Sequence, residues 1–446
     1  MCSQRGSLML AVQPVSTIAA HQLLVFLLQL GSLLLLAFLL GRLAARFGLP
    51  TIVGELCAGV LLGPSVLEQV APGFSNWLLP RDPEQFHLLD ATGQIGVLLL
   101  VTITGAHMDL SLVRRRGSTA LRISLAGIAI PLALGVALGF LLPTALVPGE
   151  RPAFALFLGI AMGVSALPVI AKALMDLRLL HRNIGQLTLC AVMVDDIVGW
   201  LLLSMVSAMA TTGVRAGDLA FSVGWLIVVL ICAMLLRPAV AAGLRAAARA
   251  PGNGATVTVV VVLAVLASAA THAMGLEAVF GAFVAGVVIR ACGALEPPAL
   301  APLQTFVAAV LAPLFFATVG LRMDLTMLAD PPVLLTGLGV LTIAIVGKFA
   351  GAYLGARLSG LGRWEGLALG AGMNARGVIE VIVAMVGLRL GVLGTEMYTI
   401  IILVAIVTSL MAPPILRATM SKVEQTAEED LRERALGIDG QRTAEA

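Results

Sequence analysis

Two aspartates stand side by side, Asp195-Asp196, in the otherwise apolar segment Leu189-Cys-Ala-Val-Met-Val-Asp-Asp-Ile-Val-Gly-Trp-Leu-Leu202. Neighbouring helical residues point about 100° apart, so one donor cannot satisfy both carboxylates. Paired carboxylates in such surroundings suit a monovalent cation, because hard cations take oxygen ligands. They equally suit protons, since burial and mutual repulsion favour the neutral form. Lys348, in Ile345-Val-Gly-Lys-Phe-Ala-Gly351, is a basic counterpart. It lies about 24 Å along a helix starting at Pro332, which leaves two readings: a snorkelling side chain or a partner for an aspartate. Two further segments have the composition of interrupted helices. Gly163-Val-Ser165-Ala-Leu-Pro168 places a glycine and a proline mid-run, and Asn374-Ala-Arg376-Gly377 places polar residues and a glycine in another. A plain proline kink is the simpler account of the first. A broken helix would expose carbonyls and amides that an ion can use. Arg376 and Glu380, at i,i+4, can pair with each other; otherwise they bias a gate or neutralise the core.

These groups must be held inside a membrane. Of 446 residues, 59% are hydrophobic and only 12% charged, against about 25% charged in ordinary soluble domains. Mean hydropathy is +1.02. Apolar runs of about 20 residues recur, each able to cross a hydrocarbon core of about 30 Å as a helix. The runs are continuous rather than alternating, which excludes a β-barrel. The breaks predict about 13 helices, at 22–45, 51–70, 88–107, 119–142, 152–175, 184–210, 219–237, 254–272, 274–292, 304–322, 332–358, 364–388 and 395–416. An N-terminal segment (1–21) precedes them without the pattern of a cleaved signal peptide, and a polar tail (417–446), too short for a core, follows.

Charge in the connections predicts sidedness. Alternate loops hold Arg42 and Arg46; Arg114 to Arg116; Lys172, Arg178 and Arg182; Arg237, Arg245 and Arg249; Arg290; and Arg357 and Arg363. The others hold only Arg5, Arg81, Arg151, Arg215, Arg322 and Arg389. The positive-inside rule puts the first set in the cytoplasm, the N-terminus outside and the tail inside. The net charge of +3 therefore reports orientation, and no nucleic-acid partner is implied. Cys2, Cys57, Cys190, Cys232 and Cys292 show no pairing or metal spacing and read as small apolar residues. Without a P-loop, zinc-ligand spacing, Gly-x-Ser-x-Gly or kinase signature, no enzyme and no cofactor are expected.

The chain also repeats itself. Leu158-Gly159, Met162, Ala173 and Leu177-Arg178-Leu179 recur as Leu369-Gly370, Met373, Ala384 and Leu388-Arg389-Leu390, 211 residues on. Gly54 to Val60 echoes Gly281 to Val287 at 227, and Gly105 to Leu110 echoes Gly320 to Leu325 at 215. The copies lie seven helices apart, an odd number, so they enter the membrane in opposite directions. This is the inverted-repeat architecture of transporters, with substrate held near the midplane. The fold expected is an all-α polytopic membrane protein with discontinuous core helices, repeat one at about 22–210, a linker helix at about 219–237 and repeat two at about 254–416. A monovalent cation, Na+ or K+, exchanged for H+ is the function these features favour. The alternative is a cation channel or uniporter, whose flux would not couple to protons.

Gly48-Leu-Pro-Thr-Ile-Val-Gly-Glu55-Leu-Cys-Ala-Gly-Val-Leu-Leu-Gly-Pro-Ser65, the Asp195-Asp196 pair, Lys348 and Asn374-Ala-Arg-Gly-Val-Ile-Glu380 together resemble the monovalent cation:proton antiporter-2 family. The resemblance covers about residues 25–416. It implies a homodimer in the plasma (inner) membrane, with helices 1–3 and 8–10 forming a dimer unit and helices 4–6 and 11–13 a moving core. It implies that Asp195 and Asp196 bind the cation and carry protons, Asp196 being the main ligand, and that Lys348 pairs with Asp195. The residues themselves, apart from the resemblance, point to a discontinuous-helix site around Ser165, Pro168, Asn374, Arg376 and Glu380. The chain departs from the family pattern at His107, where an acidic residue is common.

Overall fold

Inside a bilayer each backbone amide must find its partner within its own segment, which leaves apolar runs of this length only the helix. The computed structural model is all-helical over the residues it describes: 18–80, 83–107, 110–179, 181–212, 216–293 and 297–429. The first 17 residues, Arg81, Asp109, Arg215 and the tail beyond Glu429 lie outside the described residues.

The principal helices are α1 (Ala20–Arg46), α2 (Thr51–Leu62), α3 (Pro83–His107), α4 (Leu110–Leu141), α5 (Arg151–Gly163), α6 (Leu167–Asp176), α7 (Asn183–Thr212) and α8 (Ala216–Ala248). They are followed by α9 (Gly254–Ala273), α10 (Ala278–Ala291), α11 (Ala301–Gly320), α12 (Pro331–Leu358), α13 (Arg363–Met373), α14 (Val378–Arg389) and α15 (Thr395–Met420). Among the described residues ten helices are individually long and apolar enough to span a membrane, and α13 with α14, bent by 45°, makes an eleventh. The apolar α5 and α10 are shorter. Both expected interruptions are present, at 164–166 and 374–377. Two boundaries differ substantially, both where arginines suggested a loop: α4 begins at Leu110 rather than about 119 and so includes Arg114 to Arg116, and α8 continues through Ala248. The run Ala239-Val-Ala-Ala-Gly-Leu-Arg-Ala-Ala-Ala248 is rich in the strongest helix formers, and arginine ranks close behind alanine.

Packing sorts the helices into two groups. α1 to α3 pack with α9 to α11, α4 to α7 pack with α12 to α15, and the largely exposed α8 touches α7, α9 and α10. The repeat is visible in backbone crossings. A Cβ on Gly59 of α2 would fall 1.9 Å from the Ala317 carbonyl oxygen of α11, and one on Gly320 would fall 2.1 Å from that of Leu56. At the equivalent positions, a Cβ on Gly286 of α10 would lie 2.1 Å from the Thr102 oxygen of α3, and one on Gly105 would lie 2.6 Å from that of Phe283. Each repeat thus lends a helix to the other through a glycine contact, as small-residue helix packing allows. Gly59→Ala is expected to cost about 1–3 kcal/mol by overpacking. Gly31→Ala, where nothing lies within 4 Å, should be neutral or stabilising. Thermal unfolding in detergent compares the two.

The start of the tail is docked rather than loose. Glu429 Oε1 accepts from the Asn183 amide at the start of α7 (2.5 Å), and its Oε2 lies 3.3 Å from Arg182 Nε. Arg182 Nη2 also donates to the carbonyls of Val423 (2.8 Å) and Glu424 (3.1 Å). Burial alone would raise the Glu429 carboxyl, but the amides of Thr426 and Asn183 and the Arg182 guanidinium outweigh it and hold the group below its ordinary 4.5. A depressed carboxyl stabilises the docked form above the ordinary value and loses that contribution as pH falls through the lowered one. Glu429→Gln should therefore speed amide hydrogen exchange across 421–429 at neutral pH, and acidification of the wild type should lower the protection of the same amides relative to their intrinsic exchange rates at each pH.

Candidate functional site

The two helix breaks cross in the middle of the second group. The Ala166 amide donates to the Ala375 carbonyl (3.1 Å), so four half-helix ends meet: the carbonyl ends of α5 and α13 and the amide ends of α6 and α14. Carbonyl ends attract cations and amide ends attract anions. Pro168, at the second position of α6, occupies the first turn, where a missing N–H leaves nothing unsatisfied.

The side chains follow that polarity. Lys348 is wholly buried; its Nζ lies 2.5 Å from Asp195 Oδ2 and also donates to the Gly163 carbonyl at the end of α5. It does not snorkel. Arg376, equally buried, donates through Nη1 to the Ala161 carbonyl (2.6 Å) and through Nη2 to those of Met162 (2.5 Å) and Ala344 (3.0 Å). Its contact with Glu380 Oε1 is longer, 3.4 Å. The expected i,i+4 pair is present, but carbonyl capping engages Arg376 more closely. Ser165 Oγ lies 2.6 Å from the Met373 carbonyl. Ser165 and Arg376 occupy matching positions in the repeats, and each caps the broken end of the other's half-helix.

The two aspartates, both fully buried, have opposite surroundings. Asp195 is crowded: Ser124 Oγ donates to Oδ1 (2.5 Å), while Ser165 Oγ (2.8 Å) and Lys348 Nζ meet Oδ2. A hydroxyl has one proton, so Ser165 donates to Asp195 or to Met373 but not to both. Asp196 has no hydrogen-bond partner on either oxygen among the described residues, though it faces the Leu167 amide at the start of α6. The buried amide of Asn374 is also without a partner on both its atoms. Buried groups left unsatisfied call for an explanation such as a bound ion or water. At this crossing Asp196, Asn374 and Oε2 of Glu380 are the unsatisfied oxygen-bearing groups that could take one.

Ser124 escaped the sequence reading, because a lone hydroxyl in an apolar helix is ordinary. A signal was nevertheless available. Ser124-Leu-Ala-Gly127 on α4 echoes Lys348-Phe-Ala-Gly351 on α12, and the helices cross at those glycines, with a Cβ on Gly351 falling 2.4 Å from the Ala126 oxygen. Ser124 is the repeat counterpart of Lys348, and both bond Asp195.

A sequence model described as "Sodium/hydrogen exchanger, transmembrane" matches residues 33–422. The chain belongs to this family. It is similar to the Na(+)/H(+) antiporter NhaS4 of Synechocystis sp., 31% identical over 384 residues covering 85% of this chain and 93% of the relative. It is also similar to Cation/H(+) antiporter 15 of Arabidopsis thaliana, 30% identical over 407 residues. That match covers 90% of this chain but 49% of the plant protein, so the chain spans about half of that relative's length. Its fold is shared with the sodium proton antiporter MjNhaP1 of Methanocaldococcus jannaschii, with a TM-score of 0.65 and 17% identity over 89% of this chain and 98% of the other. As an exchanger-family member, the chain carries its buried charges where the half-helices of its two repeats meet.

Proposed function

We propose that the protein is a secondary antiporter that exchanges Na+ or K+ for H+ by alternating access, with cation and proton competing at Asp195 and Asp196. The observation that carries this reading is the asymmetry of the pair: one buried carboxylate held by an ammonium and two hydroxyls, the other with unused oxygens. A cation entering beside Asp196 brings positive charge toward Lys348 and weakens its hold on Asp195, while a proton on either carboxylate weakens cation binding. Competition of this kind couples the two fluxes without another energy source. Asn374, Ser165, Pro168, Arg376 and Glu380 would shape the crossing against which the ion sits.

Alternating access needs contacts that can exchange. At the face where α10 begins and α14 ends, Arg389 Nη2 meets both oxygens of Glu277 (2.9 and 2.7 Å). Close by in the chain, Tyr398 of α15 donates to the Val319 carbonyl of α11 (2.8 Å). Both link the two helix groups, and a rigid shift of one group would break them. In the arrangement we propose, α4 to α7 and α12 to α15 move against the other group. The shorter α5 (continued by α6) and α10 bring the crossings to 13. The protein is a homodimer in the plasma or inner membrane, with the N-terminus outside and the tail in the cytoplasm.

The test is purified protein in liposomes holding a pH-sensitive dye. Added Na+ or K+ should drive proton movement, and the movement should persist with the membrane potential clamped. Cation flux that moves no protons would point to a channel or uniporter and overturn the reading.

A further inference from the structure

Beyond the aspartates, α7 carries more buried polarity than its packing uses. Asp196, Trp200, Ser204 and Ser207 follow one another at spacings of four, four and three residues, which places them within about 80° of one another on the helix and spreads them over about 16 Å of its length. All four are buried. Neither Trp200 Nε1 nor Ser204 Oγ has a hydrogen-bond partner among the described residues. Helical hydroxyls ordinarily bond the carbonyl four residues back. Thr188, toward the other end of α7, does so to Ile184 (2.8 Å), and Thr408 does so to Val404 (2.8 Å). Ser204 does not, so it forgoes a bond its own helix offers. The stripe runs one way: four and seven residues before Asp196 stand Val192 and Leu189.

The position of Trp200 shows what the stripe faces. Its ring lies 6.0 Å, centroid to centroid, from Phe283 of α10, in the other helix group. The stripe therefore meets the boundary that alternating access would open. Beside it, Ile197 and Leu201 line a cavity of about 400 Å³ with α8 and α10, Phe283 included, so α7 has space to shift on that flank.

We propose that the face of α7 bearing Asp196, Trp200, Ser204 and Ser207 lines a hydrated path between the ion site and the outer face, where α7 ends, with Trp200 against Phe283 as its plug. The proposal rests on the antiport reading for its direction and purpose. Water entering as α7 withdraws from α10 would satisfy Ser204 and the indole, and a cation shedding its hydration shell would meet a hydroxyl ahead of the carboxylate.

The test places Ser204→Cys in a chain whose five native cysteines are replaced, in right-side-out and inside-out vesicles, and adds a charged, membrane-impermeant thiol reagent. Labelling should come from the outer face, should slow with saturating Na+ or K+, and should quicken with Trp200→Leu. Ser207→Cys should label faster still. Labelling of Ser204→Cys from the inner face alone, or from neither face, overturns the proposal. Ser204→Ala should lower turnover about five- to tenfold, the effect of one lost hydrogen bond on a rate. Its thermal midpoint should not fall, because an unsatisfied hydroxyl is removed, and Ser204→Thr should restore turnover. An idle hydroxyl would leave turnover unchanged. Outer labelling without cation-driven proton movement in the wild type would retain the path and refute antiport; antiport without labelling would do the reverse.

Discussion

Lys348→Ala is expected to destabilise the protein by about 3–5 kcal/mol, the usual result of removing one member of a buried ion pair. The size follows from what remains: a fully buried Asp195 whose Oδ2 keeps only the shared proton of Ser165, and a Gly163 carbonyl without its donor. Most of that loss belongs to the abandoned carboxylate rather than to the ammonium. The double variant Lys348→Ala/Asp195→Asn should therefore recover a large part of the stability, because the amide replaces an unpaired charge with a neutral group that Ser124 can still bond. Thermal unfolding of the two single variants and the double in one detergent completes the cycle. Equal destabilisation in Lys348→Ala and in the double variant would show that the lysine acts through packing.

Arg376→Ala should be more damaging. It strips donors from the carbonyls of Ala161, Met162 and Ala344 and leaves Glu380 buried without its cation. The carbonyls of Ala161 and Met162, at the open end of α5, are then orphaned at about 1–3 kcal/mol each, that of Ala344 keeps its bond within α12, and the stranded carboxylate costs about 3–5 kcal/mol, against a total stability of about 5–15 kcal/mol for typical proteins. The expected result is no monodisperse protein after solubilisation. Arg376→Lys keeps the charge but loses the planar fork that reaches three carbonyls at once, and should fold with a lowered midpoint. Glu380→Gln should be the mildest of the three, since the ion pair is the longest of the Arg376 contacts. A well-behaved Arg376→Ala protein would mean that the crossing is not held by its caps.

What was legible in the sequence was chiefly what a membrane makes expensive. Asp195, Asp196 and Lys348 stand out because an intramembrane charge needs a reason, and the structure brings Lys348 to Asp195. The breaks at Ser165 and Asn374 were readable from glycine and proline placed mid-run. The repeat was readable because its crossings admit only glycine, which preserves Gly59, Gly105, Gly286 and Gly320 as landmarks. Less legible were groups whose role depends on a partner far away in the chain. Ser124 is an ordinary residue until α4 crosses α12. The carbonyl caps of Arg376 are backbone atoms without a residue type to search for, and the local i,i+4 partner drew attention instead. The docking of Glu429 on the start of α7 needs the fold to bring the tail and the 181–183 turn together. The end of α8 is hidden because the helix propensity of Ala239 to Ala248 outweighs the loop signal of Arg245.

If cation and proton compete at Asp196, Asp196→Asn in proteoliposomes abolishes exchange. The substitution keeps the shape and removes a charge whose only polar support is the facing Leu167 amide, so the variant should be purified with a thermal midpoint close to that of the wild type. Na+- or K+-driven proton movement should then drop to that of empty liposomes. Proton movement equal to the wild type, in protein of equal yield and orientation, would contradict it.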